Sequence, residues 1–310
     1  MMIPPAGDAS APAASQTVVG LGELLWDCFD DQRRPGGAPS NVAYMAQQLG
    51  LRGAVCSRVG QDAWGDELLG FLQQHQLPTD VVQRDPDHKT GWVTVDLSRP
   101  QHPEYTIHEQ VAWDYLEFDA PTQELMRQSA AICFGTLAQR SETSRETIYA
   151  CLAAAPEKCL RVYDVNLRHP WYERRWIERS LREANIVKLS AEEVVRLAAM
   201  LELGMDDPHF FANTVQQAYD VDLICITRGA EGCLLVDRRG FADQPGIAIE
   251  AADPVGAGDA FTSALIYTQL QGWSLSDTAK FANRIAALVA GKPGAMPELG
   301  AELEQIKAES

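Results

Sequence analysis

Positive charge is scarce in this 310-residue sequence: 26 lysines and arginines stand against 43 aspartates and glutamates, a formal net charge of −17. A nucleic-acid partner needs a basic face, and no Lys/Arg cluster supplies one, so that class of partner is excluded. No apolar run approaches the roughly 18 residues of a membrane span. The first sixteen residues are rich in Ala, Pro and Ser and lack both a basic start and a continuous apolar stretch. They read as a flexible tail ahead of residues 17–310 rather than as a signal peptide. Seven cysteines include no C-x-x-C pair and no metal-ligand spacing. Scattered mostly through apolar runs, they read as reduced, buried thiols of a cytoplasmic protein. The phosphate-loop pattern G-x-x-x-x-G-K-[ST] occurs nowhere, and Gly20-Leu21-Gly22 lacks the third glycine of a dinucleotide fingerprint. Among six histidines, no Ser/His/Asp or Cys/His arrangement stands out.

What is present is a rhythm of short β-rich runs and longer helical patterns. Strands are expected over Thr17–Trp26, Gly53–Val59, Ala131–Phe134, Arg161–Val165, Ala184–Leu189, Leu223–Thr227 and Cys233–Val236. Several are continuous apolar runs, which suits strands covered on both faces. A helix is expected through Val42, Ala43, Ala46 and Leu49, with Ser40 as its N-cap and Gly50 past its end. Another begins at the box-like pair Ser274 and Asp277 and ends at Gly291. The alternation predicts an α/β fold: a mostly parallel sheet with helices on both faces. Residues 88–111 break it. Gly91–Leu97 and Tyr105–Val111 read as consecutive strands joined by Ser98–Pro103, a small antiparallel flap off the main sheet.

Three clusters carry chemistry. In Asp253-Pro254-Val255-Gly256-Ala257-Gly258-Asp259-Ala260-Phe261, small residues lead into a helix whose stripe is Phe261, Ala264, Leu265 and Thr268. Backbone N–H groups there can approach an anion closely, and the helix dipole favours negative charge. An acid at the mouth of an anion site would repel phosphate if its task were only binding. It makes sense as a base that takes a proton from an attacking hydroxyl. The bland alternative is a glycine turn with an acidic helix start. In Gly36-Gly37-Ala38-Pro39-Ser40-Asn41, paired glycines let a polyhydroxy ligand lie against bare backbone, and Asn41 both donates and accepts. Taken alone, this pattern is more often a plain strand-to-helix turn. Asp164-Val165-Asn166-Leu167-Arg168 ends a strand, where ligands of open α/β sheets bind. Arg168 suits a phosphate in transfer, or a structural ion pair.

The two glycine motifs, in this order, resemble those of the ribokinase-like (PfkB) carbohydrate-kinase family, and the likeness runs from about Gln16 to about Pro297. One departure is Pro254, where the family carries threonine. The resemblance implies a ribokinase-like α/β fold with a small β-sheet lid made from parts of 28–35 and 88–111. It implies a phosphotransferase in which Asp259 is the catalytic base, Gly256, Ala257 and Gly258 form the anion hole, and Arg168 assists. Asp27, Gly36, Gly37, Asn41 and Asn166 would bind the sugar. Lys188, Thr227, Gly229, Gly232 and Asn283 would bind ATP. Ser190-Ala191-Glu192-Glu193 is similar to the family's Mg²⁺ motif with serine in place of asparagine, which leaves Glu193 as the metal residue. A K⁺ site around the second motif is also implied, at the place where Pro254 departs from the pattern. So is a homodimer formed through the lid. Gly-Gly-Ala-Pro-x-Asn-Val-Ala and Asp-x-Asn-Leu-Arg look most like fructokinases. A kinase of 2-keto-3-deoxygluconate, or of another sugar or nucleoside, is the alternative within the family. A sugar- or nucleotide-binding regulator without catalysis is the alternative outside enzymes.

Overall fold

A computed structural model describes residues 16–29, 32–96, 104–203, 207–249 and 252–310. The expected tail up to residue 15 and the expected connection Ser98–Pro103 lie outside these residues. Eight strands form the main sheet in the spatial order Gly240–Pro245, Gly232–Asp237, Leu223–Thr227, Ile186–Ser190, Leu160–Asp164, Ser129–Gly135, Thr17–Leu21, Arg52–Cys56. The last six run parallel, and the first two are added antiparallel at one edge.

Strand alternation divides the interior in two. Val19, Leu21, Ile132, Phe134, Tyr163, Val187, Ile224 and Val236 face one layer of helices, which includes Glu142–Ala154, Arg174–Glu183, Ala191–Leu201 and Pro208–Tyr219. Val18, Ala131, Cys133, Val162, Ile186, Cys225 and Leu235 face the other, built from Ala38–Gln48, Ala257–Leu270, Leu275–Ala290 and Gly300–Ala308. Both faces of the central strands are therefore dry, which is why their sequences are continuous apolar runs. Each Val, Leu, Ile or Phe among them, fully buried, contributes about 1.5–3 kcal/mol.

A smaller four-stranded sheet has the order Arg33–Gly36, Leu25–Cys28, Gly91–Asp96, Glu104–Ile107. Leu25, Val93 and Val95 are buried on it, with Phe29 and Ile107 packed alongside. All seven cysteines are free, six of them buried and Cys28 half-buried. Among the described residues no helix is long and apolar enough to cross a membrane.

Several expected boundaries are corrected. Thr17–Trp26 is not one strand: the chain leaves the main sheet at Gly22, and Leu25–Cys28 pairs with Arg33–Gly36 and Gly91–Asp96 in the smaller sheet. The run Gly53–Val59 likewise divides at Ser57 into Arg52–Cys56 and Arg58–Gly60. The strand expected over Tyr105–Val111 ends at Ile107, because Gln110 adopts φ +55 and Val111 turns into the core beside Trp113. Ser40 does not cap its helix. Gly37 is the N-cap, and Ser40, inside the first turn, reaches back to the Gly36 and Gly37 carbonyls at 2.9 and 2.7 Å. Ser274 does cap Leu275–Ala290, accepting from Asp277 N at 3.2 Å.

Candidate active site

The two glycine motifs meet. Asn41, in the first turn of Ala38–Gln48, donates its Nδ2 to Asp259 Oδ2 at 2.6 Å. Asp259 stands in the first turn of Ala257–Leu270, whose N-cap is Gly256. Among the described residues no side chain caps that turn, so its leading N–H groups have no side-chain acceptor there. Burial pushes the Asp259 carboxyl up to about 6, and the nearby Asp164 charge adds to this. Asn41, Lys188 and Arg168 pull it back. At neutral pH it is ionised yet close to its titration range, the poise of a general base.

Gly256 is required by its backbone. Its φ is +82, and a Cβ there would stand 2.6 Å from the Ala295 backbone. Gly258 differs: a Cβ would stand 3.2 Å from Lys188 Nζ. Lys188 therefore lies beneath the turn, where it donates to both Asp164 carboxylate oxygens at 3.1 Å. Thr262 Oγ1 donates to Asp164 Oδ2 at 2.9 Å and lies 3.0 Å from the Gly258 carbonyl. Burial alone would lower the Lys188 pKa, but Asp164, Glu193 and Asp259 outweigh it and raise the value, so the ammonium stays charged. A fixed positive charge thus sits under the Gly-Ala-Gly turn.

The first glycine pair shapes a second wall. Gly37 has φ +107, and a Cβ on it would stand 2.4 Å from the Glu23 carbonyl. A Cβ on Gly36 would stand 2.4 Å from Asp27 Oδ2. The Asp27 carboxylate therefore lies directly against the glycine backbone. Burial pushes it up to about 6, while Arg168 and Arg34 lower it. Arg168 is exposed, and among the described residues its guanidinium bonds only the Leu167 carbonyl, at 3.2 Å, and makes no ion pair. Its charge acts on Asp27, Glu23 and Asp259 together. Asn166, with φ +39, turns the chain between Asp164 and Arg168 and is half-buried.

The residues expected to meet ATP lie along the ends of the neighbouring strands. Thr227 closes Leu223–Thr227, with its Oγ1 3.4 Å from the Leu189 carbonyl. Gly229 at φ +55 and Gly232 at φ +99 bracket a short 3₁₀ turn. Asn283 is buried on Leu275–Ala290 and donates to the Pro245 carbonyl at 3.3 Å. Glu193 is held differently from a bare metal ligand. It forms a capping box: Oε2 accepts Ser190 N at 2.7 Å and Oε1 accepts Leu167 N at 2.6 Å. It thereby ties the Arg168 loop to the helix Ala191–Leu201. Among the described residues no three of His, Cys, Asp and Glu converge as a metal cluster.

Glu23, Thr262 and Arg34 escaped the sequence reading. Glu23 is buried, its Oε2 has no partner among the described residues, and burial pushes its pKa up to about 7 with the Asp259 charge contributing. The Ala38 N–H at the start of the uncapped helix favours its ionised form. A lone acid in the apolar run Leu21–Trp26 was the available signal.

Comparison with known proteins shows the family. The pattern of the pfkB family carbohydrate kinases matches residues 10–300. A fructokinase of Salmonella typhimurium is 30% identical over 86% of this chain and 88% of that protein. The uncharacterized sugar kinase of Pyrococcus horikoshii, solved in complex with ATP, is 28% identical with a TM-score of 0.80, covering 94% of this chain and 99% of that one. The fructokinase of Vibrio cholerae, solved with fructose, ADP and calcium ion, is 25% identical with a TM-score of 0.81, covering 94% and 99%. With Asp259 and the Gly-Ala-Gly turn assembled against Asn41, the chain belongs to the pfkB family of carbohydrate kinases.

Proposed function

We propose that this sugar kinase transfers the γ-phosphate of Mg·ATP to the 6-hydroxyl of fructose. The observation that carries the reading is the Asn41–Asp259 bond, which joins the two glycine motifs and supports a base standing between a sugar wall and a phosphate turn. Fructose hydroxyls bond Asp27 and Asn41 and lie against Gly36 and Gly37, and Asn166 lines the same wall. Asp259 takes the proton of the attacking hydroxyl. The sugar oxygen forms its bond to the γ-phosphorus as the bond to the bridging oxygen breaks, and ADP leaves with that electron pair. N–H groups of Gly256, Ala257 and Gly258, backed by Lys188 and faced by Arg168, carry the charge spread over the transferring group. Thr227, Gly229, Gly232 and Asn283 hold the nucleotide.

Mg²⁺ neutralises the phosphate oxygens when bound. Glu193 fits that ion through water: each of its carboxylate oxygens spends one lone pair on an N–H and keeps another. A K⁺ ion beside Pro254 would rest on backbone carbonyls alone. The smaller sheet serves as the lid and as the surface for a homodimer in the cytoplasm. Fructokinase relatives at 28–30% identity support the choice of sugar. A second reading, 2-keto-3-deoxygluconate, is favoured by one observation: the Arg168 guanidinium has no carboxylate partner among the described residues and could take one from the substrate. Initial rates of ATP consumption across fructose, ribose, glucose, adenosine and 2-keto-3-deoxygluconate test both. Fructose must give the highest kcat/KM, and another leader overturns the choice of sugar.

A further inference from the structure

Arg34 joins the two walls of the site. It lies in the strand Arg33–Gly36 directly opposite Asp27 of Leu25–Cys28. From there its Nη1 donates to Asp253 Oδ2 at 3.2 Å, 219 residues away. Asp253 is a knot in the loop that leads to Gly256. Its Oδ1 accepts Val255 N and its Oδ2 accepts Gly294 N, both at 3.1 Å, while its own N–H bonds the Ala290 carbonyl at 3.1 Å. A Cβ on Gly294 would stand 3.9 Å from Arg34 Cδ and Nη1, so the arginine packs over that turn as well. Gly256 in turn packs on Ala295. One guanidinium thus touches the loop that sets the anion hole, and its charge lowers the pKa of the sugar-wall carboxylate Asp27.

We propose that Arg34 is a positioning residue that couples the two substrates: it ties the Asp27 strand to the Asp253 knot, so that seating the sugar also orders the phosphate turn. The proposal rests on assigning sugar to Asp27 and phosphate to Gly256–Gly258. The pair is partly exposed, 36% for Arg34 and 21% for Asp253, so its worth as plain stability is small. Its effect lies in geometry. With sugar absent, the small-sheet strand is free to shift and take Arg34 with it, loosening the knot. With sugar held between Asp27 and the Gly36–Gly37 backbone, the strand is fixed and Asp253 is fixed with it. Binding of one substrate then strengthens binding of the other by the same factor, as linkage requires.

The test measures, by calorimetry with and without saturating sugar, the dissociation constant of the non-hydrolysable ATP analogue adenylyl imidodiphosphate, which keeps the γ-phosphate, using fructose or whichever sugar leads the rate panel. The ratio of the two constants is compared among wild type, Arg34→Ala, Arg34→Lys, Asp253→Asn and the double variant Arg34→Ala/Asp253→Asn. Arg34→Ala and Asp253→Asn should each cut the wild-type ratio by at least about threefold, and the double variant should go no further. Arg34→Lys should restore part of it. Thermal midpoints recorded alongside identify a variant that has lost its fold, in which case Arg34→Lys and Asp253→Asn carry the test. A wild-type ratio of one overturns the proposal, as does an unchanged ratio in Arg34→Ala or additive losses in the double variant. Failure of the fructose assignment appears separately, in the rate panel, and leaves this ratio readable.

Discussion

The Asn41 amide donates to the Asp259 carboxylate at 2.6 Å, across 218 residues of chain. Hydrogen bonding to an ionised carboxylate favours that form, and here it opposes the burial that pushes Asp259 up to about 6. Asp259 must be ionised to accept a proton, so kcat should fall as pH drops below about 6. In Asn41→Ala the bond to the charged form is gone, and the acidic limb of the kcat profile should move upward by about one pH unit. A pH–rate profile at saturating sugar checks this, and an unmoved limb would show that the bond does not tune the base.

The two glycines of the phosphate turn should respond unequally to the same change. Gly256→Ala places a methyl 2.6 Å from the Ala295 backbone at a φ of +82. It should cost about 1–3 kcal/mol of stability and raise the ATP KM. Gly258→Ala meets only the end of the Lys188 side chain, at 3.2 Å, which can move. Its stability should stay near wild type while the displaced ammonium weakens ATP use. Urea denaturation and ATP KM values for both variants settle the order.

Glu23 gives a prediction about stability and pH. Its carboxyl rises from an ordinary 4.5 to about 7 in the fold. Between those values the folded chain binds more protons than the unfolded chain, so stability falls as pH rises through this window. Glu23→Gln is free of that loss. It should be more stable than wild type at pH 8 by a few kcal/mol, and the difference should vanish below about pH 4.5. Urea midpoints at the two pH values measure it, and a constant offset would contradict the account.

Residues whose meaning is local were legible in the sequence. Gly256–Asp259 and Gly36–Asn41 announce themselves because close backbone approach demands glycine at fixed positions, and the apolar runs of the central strands announce two covered faces. Pairings between distant segments were not legible. Nothing near Arg34 indicates that its partner is Asp253, and nothing near Lys188 indicates that it underlies Gly258. The edge strand Gly240–Pro245 escaped notice because its side chains are exposed or half-buried and carry no apolar period. The division of Thr17–Trp26 escaped for the opposite reason: residues on both sides of Gly22 are buried, one set in each sheet, so the pattern shows no interruption.

Asp259 is the proposed base. Asp259→Asn keeps the shape of the side chain, removes the proton acceptor and takes one negative charge away from the phosphate turn. A positioned general base contributes roughly 10²–10⁴-fold in rate. Single-turnover measurement of sugar phosphorylation in Asp259→Asn should show a rate at least about a hundredfold lower, with ATP affinity unchanged or tighter. Near-normal turnover in Asp259→Asn would contradict the account.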